Sequence, residues 1–408
     1  MSLMCQQNSY LKELNTHVKS CKAASSYVSN DGKLIKIQCF EVILEDTILF
    51  PEGGGQPDDR GTINDIPVLR VLRVGENAVH FIQSEIQENA KVFVKLDWPR
   101  RFDHMQQHTA QHLITAIIDQ TFGYQTTSWS LGTDIVSIEL NTHSLSSDQM
   151  VEIETKVNEC IRNNIAVLTT LYKDKDDPEL TKSRCLGLPN DHVGPVRMVA
   201  IEGIDNALCC GTHASNLTHV QAIKLLETEK GKKNKVNLKF IAGQRLLQFV
   251  GQSYQRERTL TAILKGPQDK QCELADKAIR GWKALQKTCN LQLREIATLE
   301  ATLFKQSAHK ETIFIHHRKD GDNDYMSVLV AALGNENLPK LITVGDDKEG
   351  GMFVFAGPDH LVQDLGKQIC DVFEGKGAPS KSMFRGKTSK LANRKKAEKL
   401  IREYLKLE

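Results

Sequence analysis

Two short stretches, His108-Thr-Ala-Gln-His112 and Cys209-Cys-Gly-Thr-His213, decide how this chain is read. Each sets two metal-ligand side chains four residues apart. On a helix that spacing puts both on one face, a turn apart. Three imidazoles and one thiolate suit tetrahedral Zn²⁺, which takes N and S donors without a strong geometric preference. The couplets are distant in sequence, so they would build a pocket between two segments rather than a compact zinc finger. His104, one turn before His108, and Cys210 and His219 beside the second couplet offer further donors. Spacing does not choose among them.

The residue after His108 is Thr109, where the H-E-x-x-H helix of a zinc peptidase carries its general base. That carboxylate is missing, which argues against a peptidase. Four protein ligands would also close the site, whereas hydrolytic zinc keeps a position open for water.

Working outward, residues 1–98 read as strands. Val42-Ile43-Leu44, Val68-Leu69 and Val92-Phe93-Val94 alternate with turn signals at Asn30-Asp31-Gly32, Asp59-Arg60-Gly61 and Gly75-Glu76-Asn77. This spacing predicts a small barrel or sandwich. Within it lies Phe50-Pro-Glu-Gly-Gly-Gly-Gln-Pro-Asp-Asp-Arg-Gly61, whose glycines permit positive φ and close backbone approach. Residues 99–250 mix helices (His104–Gln120, Ser146–Asn163) with strands (Ile135–Leu140, Val196–Ile201, Val236–Ile241), an α+β pattern. Leu274, Ala278, Trp282, Leu285, Cys289, Leu293, Ile296, Leu299 and Leu303 then recur at three- and four-residue steps. They predict a long amphipathic helix, one arm of a coiled-coil hairpin with Gln252–Leu264, the two arms broken at Gly266-Pro267 within a helical linker over 251–305. Residues 306–408 read as a compact C-terminal domain ending in a basic tail.

Composition is that of a soluble globular chain, with 40% hydrophobic and 25% charged residues over 408 positions. The N-terminus has no apolar run of signal-peptide length, and no segment approaches membrane-spanning length. Ten irregularly spaced cysteines argue for a reducing compartment, so the cytoplasm is the expected location. The net charge of +2 hides an asymmetry: from Lys376 onward, eleven Lys or Arg face three Glu. A basic extension on a mildly acidic body suits a polyanion partner.

Phe50-Pro-Glu-Gly-Gly-Gly-Gln56, Met105-Gln-Gln-His-Thr-Ala-Gln-His-Leu113 and Cys209-Cys-Gly-Thr-His-Ala214, in this order, resemble the motifs of the alanyl-tRNA editing proteins, of AlaX type. Val196-Arg-Met-Val199 and Phe240-Ile-Ala-Gly-Gln-Arg245 resemble them as well. The likeness extends over nearly the whole chain and is similar to the C-terminal half of alanyl-tRNA synthetase. Two departures stand out. Cys210 replaces a glycine usual in the family, which would strain a backbone of positive φ. Gly375-Lys-Gly-Ala-Pro-Ser-Lys381 has more lysine and fewer glycines than usual.

The resemblance implies an α+β multidomain fold. Its parts would be an N-terminal β-barrel (1–98), a zinc-binding editing domain (99–250), a coiled-coil-like helical linker (251–305) and a small C-terminal α/β domain (306–408). It implies one Zn²⁺ per chain on His108, His112, Cys209 and His213. Pocket residues would be Gln56, Gln107, and a hydroxyl among Thr126, Thr127 and Ser128. Lys376, Lys381, Arg385, Lys387, Arg394, Lys395 and Lys396 would contact tRNA. The activity implied is deacylation, in trans, of mischarged tRNA(Ala): chiefly Ser-tRNA(Ala), also Gly-tRNA(Ala). No synthetase core precedes the first motif, so aminoacylation is not expected. A zinc-stabilised tRNA-binding protein without catalysis is the rival. The chain would be a monomer or a coiled-coil-mediated dimer, without membrane association.

Overall fold

The computed structural model describes residues 3–30, 33–173, 177–184, 195–307, 312–335, 337–380 and 382–407. They belong to two compact units, Met1–Arg256 and Glu257–Glu408.

The first unit opens with one helical turn, α1 (Met4–Gln7). Six strands follow: β1 (Glu13–Asn30), β2 (Lys33–Leu44), β3 (Gly61–Ile63), β4 (Ile66–Val74), β5 (Asn77–Ile82) and β6 (Lys91–Leu96). They pair in the order β1-β2-β5-β4-β3-β6, and β1 returns to β6 through Glu13–His17 and Lys91–Lys95. Alternation drives this sheet: in β6, Val92, Val94 and Leu96 are buried between exposed Lys91, Phe93 and Lys95. The inward set, including Val42, Ile63, Val71, Ile82 and Val94, forms one apolar cluster. Asn64 and Asp65, both at positive φ, make the tight turn joining β3 to β4.

Next comes α2 (Trp98–Phe122). Asp97 caps its start by accepting from the Arg100 N–H, Pro99 lies in its first turn, and left-handed Gly123 ends it. The rest of the unit is β7 (Thr126–Ser130), β8 (Val136–Leu140), α3 (Ser147–Arg162), β9 (Val167–Tyr172), β10 (Val196–Ile201), β11 (Asp205–Leu208), β12 (Ile223–Lys230), β13 (Val236–Ala242) and α4 (Gly243–Leu264), which runs on into the second unit. Strands β12-β13-β8-β7 form one antiparallel sheet and β11-β10-β9 another. Helices α2 and α3 pack on them through Leu113, Ile117, Ile153, Val157, Ile138 and Phe240. Each such buried side chain contributes roughly 1.5–3 kcal/mol relative to exposure.

The second unit contains α5 (Gln271–Gln306), β14 (Phe314–Arg318), α6 (Asn323–Leu333), β15 (Lys340–Asp346), β16 (Gly350–Ala356), α7 (Asp359–Val372), β17 (Lys376–Ser380), β18 (Met383–Thr388) and α8 (Arg394–Tyr404). One five-stranded sheet, β14-β15-β16-β18-β17, separates two apolar layers. Leu293, Ala297 and Ala301 of α5 pack with α6 against Ile342 and Val354. Helices α7 and α8 pack against Phe353, Phe355 and Phe384.

The fold class expected from the sequence needs correction. The N-terminal strands close on themselves only at the base of the long β1–β2 hairpin, and they share one compact unit with the metal-binding part instead of forming a domain of their own. Only the first residues of β1 reach β6, and the outer half of the β1–β2 hairpin extends past the other strands, paired to itself. The C-terminal domain is not α/β either. Only β14 and β15 are parallel, and the other neighbours pair antiparallel. The basic C-terminus is also no loose tail, because Phe384, Leu391, Ala397 and Ile401 are buried and fold it into the unit. No helix among the described residues is long and apolar enough to cross a membrane.

Candidate metal centre

His108 and His112 stand on one face of α2, and Cys209 and His213 on the loop after β11. Among the described residues these four form one cluster, with a ligand atom from each within 4.8 Å of the others. Cys209 Sγ lies 3.4 Å from His108 Nε2 and 3.3 Å from His213 Nε2. Tetrahedral zinc, with Zn–N near 2.0 Å and Zn–S near 2.3 Å, sets its ligand atoms roughly 3.3–3.8 Å apart, a spacing that the two thiol–imidazole pairs already have. The alternatives left open by spacing fall away. His104 is not in the cluster, and the His219 Nδ1 pairs with the Tyr10 hydroxyl at 2.6 Å.

Each imidazole has its own outer partner. Gln56 Oε1, which also accepts from the Thr212 N–H, accepts from His108 Nδ1 at 2.9 Å. An amide oxygen only accepts, so the proton sits on Nδ1 and the Nε2 lone pair faces the thiol. Thr109 Oγ1 lies 3.2 Å from His213 Nδ1 and accepts from the Ala214 N–H. The Asp205 carboxylate lies 4.0 Å from His112 Nδ1 and is gripped by Arg184 at 2.7 and 2.9 Å.

Burial tunes the cluster for a cation. It holds His112 down at about 4 and drives His108 and His213 well below the usual imidazole range. The rings are therefore neutral and ready to donate. Burial also pushes the Cys209 thiol up to about 12, so a bound dication would have to displace its proton. Imidazole and thiolate select zinc-like ions over Mg²⁺ or Ca²⁺, which want oxygen.

The loop fits its glycines. A Cβ on Gly211 would strike the His108 ring and Gln56 Oε1, so only glycine lets the second couplet close on α2. Cys210 does not have positive φ, so the substitution there carries no backbone strain. Its Sγ instead packs against Gly54 of the glycine loop.

The other residues singled out from the sequence are scattered. Gln56 lies beside the metal cluster, where its Oε1 accepts from His108 and the Thr212 N–H and its Nε2 donates to Thr212 Oγ1 at 2.9 Å. Gln107 faces away, donating to the Ala242 carbonyl and to Asp103 and accepting from the Ala242 N–H. Thr127 and Ser128 are exposed on β7. Thr127 Oγ1 donates to Glu139 at 2.5 Å and accepts from Lys235 at 2.9 Å. Thr126 turns inward to Thr115, which accepts from Gln111 beside His112. In the second unit, Lys376 and Lys387 are exposed and directly opposite across β17 and β18. Arg385 of β18 donates to Asn323 and Ser327, and Arg394 pairs with Asp347. Lys395 and Lys396 are exposed on α8, and Lys381 lies outside the described residues.

Sequence reasoning passed over Thr109, noted only as a missing carboxylate, and Asp205. It also passed over the fully buried Arg101–Asp59 pair, which braces the glycine loop through the Phe50 N–H and the Ile48 carbonyl. A short polar residue beside each ligand was the available signal, since metal-bound histidines need a second partner.

Residues 196–241, which carry Cys209 and His213, match the family described as "Threonyl and Alanyl tRNA synthetase second additional domain", a class of tRNA-synthetase accessory domain. The chain is 47% identical over 403 residues to the alanyl-tRNA editing protein Aarsd1 of Danio rerio, covering 99% of this chain and 98% of that protein. It is 46% identical to the Mus musculus protein of the same name, with the same coverage. It is also 26% identical to the alanine–tRNA ligase of Thermococcus kodakarensis, over 92% of this chain and 42% of the ligase. The chain belongs to the family of alanyl-tRNA editing proteins.

Proposed function

We propose that this protein hydrolyses the aminoacyl ester of mischarged tRNA(Ala) in trans, chiefly Ser-tRNA(Ala) and also Gly-tRNA(Ala), with one Zn²⁺ per chain. The observation that carries this reading is the four-residue cluster, with three neutral imidazoles and a thiol at zinc spacing, in a chain of the editing family. The protein is an enzyme of the hydrolase kind, as its family is.

In the reaction, water adds to the ester carbonyl carbon and the bond to the terminal ribose oxygen breaks. That oxygen takes a proton, leaving free amino acid and tRNA. Zn²⁺ held by these four residues would supply Lewis-acid polarisation if one of them gave way to water or substrate, and would otherwise serve to position the substrate. The chain's own residues do the rest by placement. Gln56 and Thr109 fix the His108 and His213 rings, and Asp205 stands behind His112. Trp129, its ring 4.8 Å from that of His108, screens the cluster from water on one side. No carboxylate stands where a peptidase keeps its base, which an activated ester tolerates. Selectivity against alanine would come from a hydroxyl-binding group that alanine leaves unpaired. Thr126, Thr127 and Ser128 are the candidates, and Val or Ala at each in turn should show which one relaxes the preference.

Lys376, Arg385, Lys387, Arg394, Lys395 and Lys396 are proposed to hold the tRNA, together with Lys381. The opposed Lys376 and Lys387 support this, because like charges across a strand pair repel unless an anion separates them. Cys209 must be a free thiolate to ligate, so we place the protein in a reducing compartment, the cytoplasm.

The test incubates purified protein with Ser-tRNA(Ala), Gly-tRNA(Ala), Ala-tRNA(Ala) and free aminoacyl esters, following amino-acid release alongside zinc content. Release from the first two, with Ala-tRNA(Ala) spared, is expected. Zinc and tRNA affinity without release would leave a binding protein, and cleavage of free esters alone would remove tRNA from the reading.

A further inference from the structure

Loop 209–215 is tied down from outside the ligand set. Arg197 of β10 is nine-tenths buried and donates through Nη1 to the Cys209 carbonyl at 2.8 Å and the Gly211 carbonyl at 2.7 Å. Its Nε donates to the Gln6 carbonyl at 3.1 Å, and Nη2 reaches Thr169 Oγ1 at 3.3 Å. The Gln6 side chain, also buried, donates to the remaining carbonyl, that of Cys210, at 2.9 Å. All three successive carbonyls of the metal loop are thus captured on one side. The Gly211 N–H is left pointing at Cys209 Sγ, 3.4 Å away.

The N-terminal segment is anchored on both flanks of the loop. Met4 N–H donates to Asp46, Cys5 N–H to the Thr47 carbonyl, and Arg101 to the Ser9 carbonyl. Tyr10 accepts from the Ser215 N–H at 3.0 Å, just past His213. Residues 3–10 therefore span the loop from Cys210 to Ser215. None of these groups is in the ligand set.

We propose that Arg197 and Gln6 are positioning residues for the metal centre, and that the segment Leu3–Tyr10 is a structural part of it. A thiolate on a loop has no helix to aim it. Its direction depends on the peptides at 209–211, and the guanidinium fixes two of their carbonyls through Nη1 while Nε and Nη2 anchor it to Gln6 and Thr169, four bonds that the three donors of a lysine ammonium could not make together. Gln6 fixes the third and holds Arg197 through its own carbonyl. This rests on the reading of His108, His112, Cys209 and His213 as zinc ligands.

The test uses the full chain loaded with one equivalent of Zn²⁺ and measures zinc release to a chromogenic chelator, alongside the melting temperature of the zinc-free protein. Arg197→Lys should release zinc roughly 10–100-fold faster, the usual effect of losing an outer partner. Gln6→Ala, which loses the bond to the Cys210 carbonyl and the one accepted from the Leu3 N–H, should release it about fivefold faster and lower the zinc-free melting temperature only slightly. Because both act on the same peptides, the double variant should fall short of the product of the two. Excess Zn²⁺ should restore deacylation in both single variants, which a substrate contact would not allow. Wild-type release rates in both variants would overturn the proposal while leaving the zinc reading intact. Wild-type protein that holds no zinc would remove both. If Arg197→Lys fails to fold, Gln6→Ala alone decides.

Discussion

Helices α2 and α5 invert the usual link between polarity and burial. Helix α2 carries Gln106, Gln107, His108, Thr109, Gln111 and His112 in close succession, and every residue from His104 to Ile118 is buried. Helix α5 carries Trp282, Leu285, Leu299 and Leu303, and leaves 61–71% of each exposed. The difference is partnership. On α2, Gln106 bonds to the His219 carbonyl and the Gln244 N–H, Gln107 to both backbone groups of Ala242, His108 to Gln56, and Thr109 to His213 and Ala214. Burying a polar group costs little once it is hydrogen-bonded, so α2 can be polar and internal together. On α5 only the face with Leu293, Ala297 and Ala301 meets α6 and the sheet.

The largest effect should come from the ligands that make α2 polar and from their partners on the loop. Cys209→Ala or His213→Ala should remove stoichiometric zinc and reduce deacylation to background, read by metal analysis and amino-acid release from Ser-tRNA(Ala). Full activity with zinc retained would reassign the ligand set. On the apolar side of α2, Leu113→Ala should destabilise the protein by roughly 2–5 kcal/mol in a denaturant titration, the cost of truncating a fully buried leucine. A loss below about 1 kcal/mol would mean that α2 is not packed as tightly as its burial indicates.

This contrast bears on what could be read from the sequence. The long helices and the strand Val196–Ile201 were legible, because periodicity is local, and the start of α3 carries a local cap as well. Ser146 and Gln149 bond reciprocally, as a Ser-x-x-Gln start requires. The cluster of His108, His112, Cys209 and His213 was legible only in part: spacing offered these donors together with His104, Cys210 and His219, and the family resemblance singled out the four. The outer shell was not legible. Thr109, Asp205 and Arg197 act only through residues brought near by folding, and their local sequence is ordinary in period and composition. The C-terminus misled for a related reason. Eleven cations drew attention from Phe384, Leu391, Ala397 and Ile401, whose spacing folds the segment down.

Among the described residues two buried polar atoms on α2 lack a partner, Gln111 Oε1 and His104 Nδ1, and the second sharpens the comparison. The Nδ1 atom of His104 has no hydrogen bond, and burial, aided by Arg100 and Arg245, holds its imidazole down at about 3. The unfolded chain takes up a proton near pH 6.5, which the folded one refuses until about pH 3. Stability from this residue is therefore full above pH 6.5 and declines as the pH falls. Between about pH 7 and pH 5 the loss should be roughly 2 kcal/mol. His104→Leu should remove that share, so the stability gap between variant and wild type should widen in the variant's favour toward about pH 5. A constant gap would show that His104 has a partner, such as an ordered water.

The smallest effect is expected at the exposed end of the comparison. Leu285 on α5 is 71% exposed, so Leu285→Ala removes little packing and should change stability by no more than about 0.5 kcal/mol. The same substitution costs several times more at Leu113, although leucine and alanine have similar helix propensities. The measurement also tests the proposal that the chain pairs through α5. Trp282, Leu285, Cys289, Ile296, Leu299 and Leu303 follow heptad spacing, the seam by which two such helices would pack. If they do so in solution, the cost at Leu285 would exceed about 1 kcal/mol and the unfolding midpoint would rise with protein concentration. A small, concentration-independent change would instead make the stripe a solvent-facing surface and the chain a monomer.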